Sequence, residues 1–251
     1  NNKNNDNNEI KSRDDSLAKI KEDYGSKKLD NGIPEAARKE MEKTKEKLEN
    51  FKKNVLKKYP YTVAIGLLPP QFSKRIEEEF EIPEKETKEK LVHVQIIVPE
   101  EKFKQIPKMK ADLVKQVEGI KPKLWLHIQT PVDIFNYGLD SKFELVSAVA
   151  MSFPLYDKGF LGSFRAAEIH KSLVLRKFEK YVVSYVIAGS LVRGTATKTS
   201  DVDIYIIIDD TDVKRMPRLE LREKLRAIIY QYTMEASSLA GVKNRLSPQV
   251  Y

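Results

Sequence analysis

The stretch from Val186 to Asp210 constrains the fold more than any other part of this sequence. A short apolar run over 185–188 stops at Gly189-Ser190, a loop rich in Thr, Lys and Ser follows, and a second apolar run starts at Asp201-Val202-Asp203. The isoleucine-rich composition of 203–208 predicts a buried strand. Because side chains alternate along a strand, the two aspartates are expected on one face, about 6.5–7 Å apart.

Two carboxylates on one face repel each other unless a cation lies between them. Mg²⁺ takes oxygen ligands and usually binds through one or two carboxylates together with substrate phosphates. A glycine after a strand allows a ligand close to the backbone, and a small hydroxyl residue offers donors to phosphate oxygens. Asp201 and Asp203 are therefore candidate metal ligands, and Gly189 and Ser190 are candidate phosphate-binding residues. The alternative is a hairpin edge that carries two aspartates by chance.

Gly-Ser followed by Asp-x-Asp on a strand resembles the signature of the DNA polymerase β-like nucleotidyltransferase superfamily, and Arg193-Gly194-Thr195 extends the similarity. The resemblance implies transfer of a nucleoside monophosphate from a nucleoside triphosphate (NTP) to a hydroxyl or similar acceptor, with release of pyrophosphate. It also implies Mg²⁺ or Mn²⁺ ions bridged by Asp201 and Asp203. Gly189 and Ser190 would hold the terminal phosphates, and Arg193 would add a charged donor.

The superfamily normally uses a third carboxylate on a later strand, and the sequence does not place one. The strand expected over 242–251 contains no Asp or Glu, and Glu235 lies on the preceding predicted helix. Asp209 and Asp210 follow the far end of the Asp-x-Asp strand, roughly 20 Å or more from Asp201. The sequence stops within the last expected strand, which indicates a domain truncated at its C-terminus.

The order of predicted elements repeats along the chain. At an offset of 110 residues, Ile106-Pro107-Lys108 faces Met216-Pro217-Arg218. We therefore predict an α/β protein (α+β, mixed sheet) with two tandem nucleotidyltransferase-like units, although element order can also recur by chance. The first unit is degenerate, because Leu91 and His93 stand in place of the two aspartates. Leucine cannot ligate Mg²⁺, and imidazole is a poor ligand for it.

The Gly-Ser half of the motif is also altered in the first unit. Gly66, aligned with Gly189, is followed by Leu67 rather than by serine. The first unit is thus expected to be a scaffold or a binding surface. Packed or surface positions, rather than ligand roles, are predicted for the three histidines, His93, His127 and His170.

The chain is predicted to comprise three segments: a polar, disordered one over 1–33, the degenerate unit over 34–160 and the nucleotidyltransferase domain over 161–251. Sequence patterns predict helices over 35–59, 101–117, 164–181 and 218–239, and strands over 61–68, 91–98 and 123–129. The segment 143–151 is predicted to be a helix or a buried segment. The segment 153–159 is predicted to be a turn.

Composition narrows the class of protein. A chain of 251 residues with 41% hydrophobic content is large and apolar enough to form hydrophobic cores. Its net charge of +8 favours polyanionic partners such as nucleotide or nucleic acid. The excess charge lies in mixed Lys/Glu stretches, which are also typical of solvated helices. There is no cysteine, and no apolar run approaches the ~20 residues that span a bilayer. A soluble, cytoplasmic protein without a membrane partner is predicted.

Two function classes remain. The first is an Mg²⁺-dependent nucleotidyltransferase whose acceptor is RNA, DNA, a protein hydroxyl or a small molecule. The second is a non-catalytic module that binds nucleotide or nucleic acid, or an antitoxin-like partner of another protein. The two adjacent carboxylates favour the enzyme, whereas the missing third carboxylate favours the binding module.

Overall fold

The structure is a computed structural model that describes residues 35–89, 91–209 and 217–251. The segment predicted to be disordered, 1–33, lies outside the described residues. The chain divides into two compact units, 1–45 and 46–251. In the first unit the described residues, 35–45, are helical, and the second unit contains both β-sheets.

The described helices and strands alternate along the chain, which accounts for the mixed α/β class. The helices are α1 (Glu35–Lys58), α2 (Ser73–Glu79), α3 (Glu84–Thr87), α4 (Ile106–Val117), α5 (Pro131–Leu139), α6 (Phe143–Ala150), α7 (Phe160–Phe178) and α8 (Arg218–Ala240). The strands are β1 (Ala64–Leu67), β2 (Leu91–Ile97), β3 (Lys123–Gln129), β4 (Phe153–Asp157), β5 (Val182–Ala188), β6 (Val202–Ile208) and β7 (Leu246–Val250). Short 3₁₀ turns over 70–72 and 100–105 precede α2 and α4.

Two mixed sheets organise residues 46–251. The first has the strand order β3-β2-β1-β4, in which β1 is antiparallel to both neighbours and β2 is parallel to β3. The second has the order β5-β6-β7, in which β5 is antiparallel to β6 and β6 is parallel to β7. Both sheets therefore contain an antiparallel pair followed by a parallel strand, with a helix between the parallel strands (α4 and α8).

Most predicted elements are confirmed to within a few residues, but the turn predicted over 153–159 is wrong. Residues Phe153–Asp157 form β4, because they pair with β1 through a long-range ladder that local propensity cannot reveal. Proline at the second position of this strand is tolerated because β4 is an edge strand. The sequence analysis also missed α5, which begins at a Thr130–Asp133 capping box with Pro131 at its first position.

Helices cover both faces of the first sheet. One core lies between this sheet and two amphipathic helices, with Phe51 and Val55 on α1 and Met109 and Leu113 on α4 facing the strands. These pairs fall at helical spacing, so each helix presents one apolar stripe to the sheet. Strand β2 is buried on both faces, which accounts for apolar residues at five of its seven positions.

The second core joins the two sheets through α5, α6 and α7. Phe160 and Phe164 on α7 stack with ring centroids 5.8 Å apart, and β6 and α8 contribute buried isoleucines and Leu225. Of the packed and surface positions left open for His170, the structure shows the packed one. His170 is fully buried, with its Nε2 3.0 Å from the Ile229 carbonyl and its Nδ1 2.8 Å from the Tyr185 hydroxyl. His170 thus connects α7 with β5 and α8. Among the described helices, none has the length and apolar character needed to cross a membrane.

Two histidines, His93 and His127, lie side by side on the first sheet in packed rather than surface positions. His93 Nδ1 is 3.1 Å from His127 Nε2, and Phe80 lies against the His127 ring at 4.5 Å between centroids. Burial, together with the nearby His93 and Lys110, lowers the pKa of His127 to about 3. Burial also lowers the pKa of His93, partly opposed by Glu77.

We expect this histidine pair to make the protein less stable in mild acid. Below pH 6.5 the unfolded chain binds a proton at His127 that the folded chain excludes, so stability falls by about 1.4 kcal/mol per pH unit, or about 2 kcal/mol between pH 6.5 and 5. Urea unfolding at the two pH values measures the loss, and His127→Leu should reduce it. An equal loss in the variant would contradict this assignment.

Candidate functional site

The turn after β5 depends on the backbone conformation of Gly189 and on the burial of Leu191. Gly189 has φ +76°, a left-handed conformation that L residues rarely adopt, and the fully buried Leu191 fixes the middle of the turn. Arg193 N–H donates to the Gly189 carbonyl at 3.4 Å, and Thr195 N–H donates to the Ser190 carbonyl at 2.9 Å. The turn therefore has a defined path between β5 and the polar loop.

Asp203 lies directly over this turn. It pairs with Ala188 across the β5–β6 ladder, one residue before Gly189. A Cβ added at Gly189 would overlap Asp203 Oδ2 and lie 3.1 Å from its Cγ. The structure therefore brings together the Gly-Ser turn and the second aspartate of the motif, as the sequence analysis expects for a phosphate and metal site.

The loop that leads to Asp201 is fixed from both sides. Thr197 N–H donates to the Ser200 hydroxyl at 2.9 Å, which closes a short local turn. The buried Asn244 donates from its side-chain amide to the Thr197 carbonyl at 2.9 Å and to the Ser200 carbonyl at 2.8 Å. Asp201 then stands exposed just before β6, two residues from Asp203.

Within the part of the chain that the structure describes, both carboxylates remain available to bind a ligand. Neither Asp201 nor Asp203 forms an ion pair or a hydrogen bond with another described side chain, and Asp203 is half-buried. Unpaired carboxylates that adjoin an open glycine turn suit a hard cation shared with phosphate oxygens. Within the described ranges, no group of three or more His, Cys, Asp or Glu side chains could hold a metal ion, so the pair would need ligands from a substrate.

The strand expected to carry the third carboxylate is β7, and it carries none. In the parallel ladder Ser247 stands opposite Asp203, and Arg245 accepts a hydrogen bond at its carbonyl from Val202 N–H at 2.9 Å. Asp209 lies at the opposite end of β6, where its N–H donates to the Tyr181 carbonyl at 2.7 Å. The structure therefore brings no third carboxylate to this end of the second sheet from β7.

Sequence reasoning missed residues that support the loop from outside the motif. Gly159, with φ +139°, lies against the backbone of Thr197 and Lys198. Asp157 accepts hydrogen bonds from the N–H groups of Gly159, Leu161 and Gly162 at 2.9, 3.1 and 3.0 Å. An aspartate two residues before a glycine that opens a helix is a local signal for such a cap.

Residues 168–241 match the family model described as nucleotidyltransferase domain. The match runs from the middle of α7 to the glycine after α8, and it contains the five predicted site residues. It confirms the predicted resemblance to nucleotidyltransferases for this part of the chain, which is less than a third of the whole. No curated protein and no solved structure matches the chain.

Gly189→Ala should impair Mg²⁺·NTP binding more than it lowers the stability of the fold. The added methyl group pushes the Asp203 carboxylate away, while the positive φ costs about 1–2 kcal/mol of stability. Gly241→Ala is the matched control, because its φ of +67° is similar and its Cβ would contact nothing within 4 Å. We expect similar melting temperatures for the two variants and loss of Mg²⁺·NTP stabilisation in Gly189→Ala alone. Equal NTP responses would contradict the geometry.

Proposed function

We propose that this protein is an Mg²⁺-dependent nucleotidyltransferase that transfers a nucleoside monophosphate from an NTP to an acceptor hydroxyl and releases pyrophosphate. The observation that carries the proposal is the position of Asp203 over the Gly189 turn, with Asp201 two residues away and neither carboxylate paired with a described side chain. The match of residues 168–241 to a nucleotidyltransferase domain supports the same class of reaction.

Each proposed role follows from the chemistry of the side chain. Asp201 and Asp203 would hold the divalent ions, Mg²⁺ or Mn²⁺, which supply charge neutralisation and activate the attacking oxygen. Ser190, whose hydroxyl makes no hydrogen bond with a described residue, would donate to the terminal phosphates beside the open backbone of Gly189. Arg193 is exposed without an ion pair to any described residue and would add a charged donor to the leaving pyrophosphate.

The first sheet is proposed to be a degenerate copy of the second. The shared strand directions support this, and so does the register of the strands. Leu68 N–H donates to the His93 carbonyl at 2.9 Å, so that Leu68 and His93 take the places that Ala188 and Asp203 occupy in the second sheet. On that register Pro69-Pro70, rather than Gly66-Leu67, corresponds to Gly189-Ser190. A copy with two prolines and a buried histidine in these places would serve as a scaffold, because it offers neither N–H donors nor carboxylates.

One observation favours a second candidate, a non-catalytic module that binds nucleotide. Ser247 occupies the β7 position opposite Asp203, and no Asp or Glu lies between 242 and 251. A site with two carboxylates can bind Mg²⁺·NTP through the phosphates without a third group to help deprotonate an acceptor. Binding of NTP with no turnover of any acceptor would support this candidate.

A thermal-shift titration tests the shared basis of both candidates. Each of the four NTPs is added with and without Mg²⁺, and a ligand at ~100 times its dissociation constant stabilises the protein by about 2.7 kcal/mol. We expect a shift that requires Mg²⁺ and that ranks the four nucleotides. The absence of a shift with every NTP would overturn the proposed site.

A further inference from the structure

A cleft beside the candidate site is lined by positive charge from three separate elements. Its cations are Arg165 on α7, Lys198 in the loop before β6 and Lys243 after α8, and Tyr156 of β4 and Asn244 complete the part we call the basic cleft. The volume of the cleft is about 790 Å³, which is within the range of ligand sites. It lies at the end of the second sheet where the two aspartates stand.

No described acid forms an ion pair with the cations of the basic cleft. Lys198 and Lys243 are exposed, and neither forms an ion pair with a described residue. Among the described residues of the lining, the one acid is Asp157, whose carboxylate accepts three backbone N–H bonds at the start of α7. It therefore faces a helix N-terminus, where negative charge is stabilised, instead of pairing with the lysines.

The Arg165 guanidinium is held by two backbone carbonyls and keeps further N–H donors. Its Nε donates to the Ala150 carbonyl at 2.7 Å, and one terminal nitrogen donates to the Ser152 carbonyl. A guanidinium carries five N–H donors, so these bonds leave three for a ligand. Cations from three elements around an open cleft suit several phosphates in succession better than a single one, and the half-buried Tyr156 supplies an aromatic face for a base.

The basic cleft adjoins the candidate catalytic residues through a short, fixed connection. Thr199, which lines the cleft, is two residues from Asp201, so their Cα atoms are at most about 7.6 Å apart. Asn244 bonds the carbonyls of Thr197 and Ser200 and so fixes this segment to the wall of the cleft. A chain bound in the cleft would have its end near the aspartate pair.

We propose that the basic cleft binds the sugar–phosphate backbone of a single-stranded nucleic acid and presents the hydroxyl at its end to Asp201 and Asp203. The strand-binding part stands on the cleft itself, whereas the presentation of an acceptor rests on the proposed function. The acceptor class is thus an oligonucleotide, in which a phosphodiester forms at the terminal hydroxyl as pyrophosphate leaves and the hydroxyl proton passes to solvent.

Fluorescence anisotropy with a labelled ten-nucleotide single strand, as RNA and as DNA, tests the cleft without metal or NTP. Lys198→Ala/Lys243→Ala should weaken binding at least ten-fold and flatten the dependence of log K on log salt by about 1.4, since each phosphate contact contributes about 0.7. The matched control is Lys108→Ala/Lys115→Ala on α4, which removes two exposed charges elsewhere. It should bind like the wild type.

Three outcomes would overturn the proposal: no strand binding by the wild type, an equal loss in the two double variants, or full displacement of the strand by millimolar inorganic phosphate. The Mg²⁺·NTP thermal shift of the wild type, measured beside its strand binding, separates this proposal from the proposed function. Strand binding without any NTP shift would support the cleft proposal and overturn the proposed transferase function. An NTP shift without strand binding would overturn the cleft proposal and leave the proposed function supported.

Discussion

Asp203→Asn and Asp201→Ala are each expected to abolish Mg²⁺-dependent stabilisation by NTP while the fold persists. Asp203 lies over the Gly189 turn and Asp201 is exposed beside it, so each change removes a metal ligand without opening a core. The loss amounts to about 2.7 kcal/mol at a ligand concentration ~100 times the dissociation constant. For a chain of this size that is roughly 5–10 °C in melting temperature.

The melting temperatures of the two variants without ligand show whether the fold persists. Removing one of two repelling carboxylates is expected to leave the stability unchanged or to raise it slightly, as at other functional sites that trade stability for charge placement. Asp140→Asn is the matched control, because Asp140 is an exposed carboxylate after α5. It should retain the full NTP response. An undiminished shift in both site variants would show that NTP binds elsewhere.

Gly159→Ala is expected to be the most destabilising single substitution near the site. Its φ of +139° is essentially limited to glycine, and its Cβ would lie 2.5 Å from the Lys198 nitrogen and closer still to the Thr197 carbonyl carbon. Those atoms are backbone atoms, so the loop itself must move. Strain and overpacking of this kind together cost roughly 3–5 kcal/mol.

Gly119→Ala separates backbone strain from the contact with the loop. Gly119 has φ +79°, and an added Cβ would meet nothing within 4 Å, so we expect a loss of about 1–2 kcal/mol from the backbone alone. Urea denaturation of both variants measures the difference. If Gly159→Ala lost no more stability than Gly119→Ala, the close packing of α7 against the loop before β6 would be wrong.

The core of the candidate site could be predicted from sequence because its signals are local. Gly189-Ser190 ends one apolar run and Asp201-x-Asp203 starts another, and strand geometry alone then places the two aspartates together. A structural rather than a ligand role for the histidines could also be predicted, because isolated imidazoles on apolar elements are more often packed or surface residues than ligands. All three histidines are buried in the structure.

The surroundings of the site could not be predicted, because they depend on long-range pairing. Strand β4 exists only because β1 pairs with it, and its own sequence, with Pro154, favours a turn. Asn244 reaches Thr197 across 47 residues, and Gly159, just before α7, meets the same loop from another part of the chain. No local pattern connects these residues, so the basic cleft was not visible before the fold was known.

Paramagnetic broadening by Mn²⁺ of assigned backbone amide signals tests the central claim most directly, namely that residues 189–203 hold a metal–nucleotide complex. With Mn²⁺ and NTP present, we expect the signals of Gly189, Ser190, Asp201 and Asp203 to broaden first, and Asp203→Asn to abolish the effect. Broadening confined to other acidic surfaces, or unchanged in the variant, would contradict the assignment of this site.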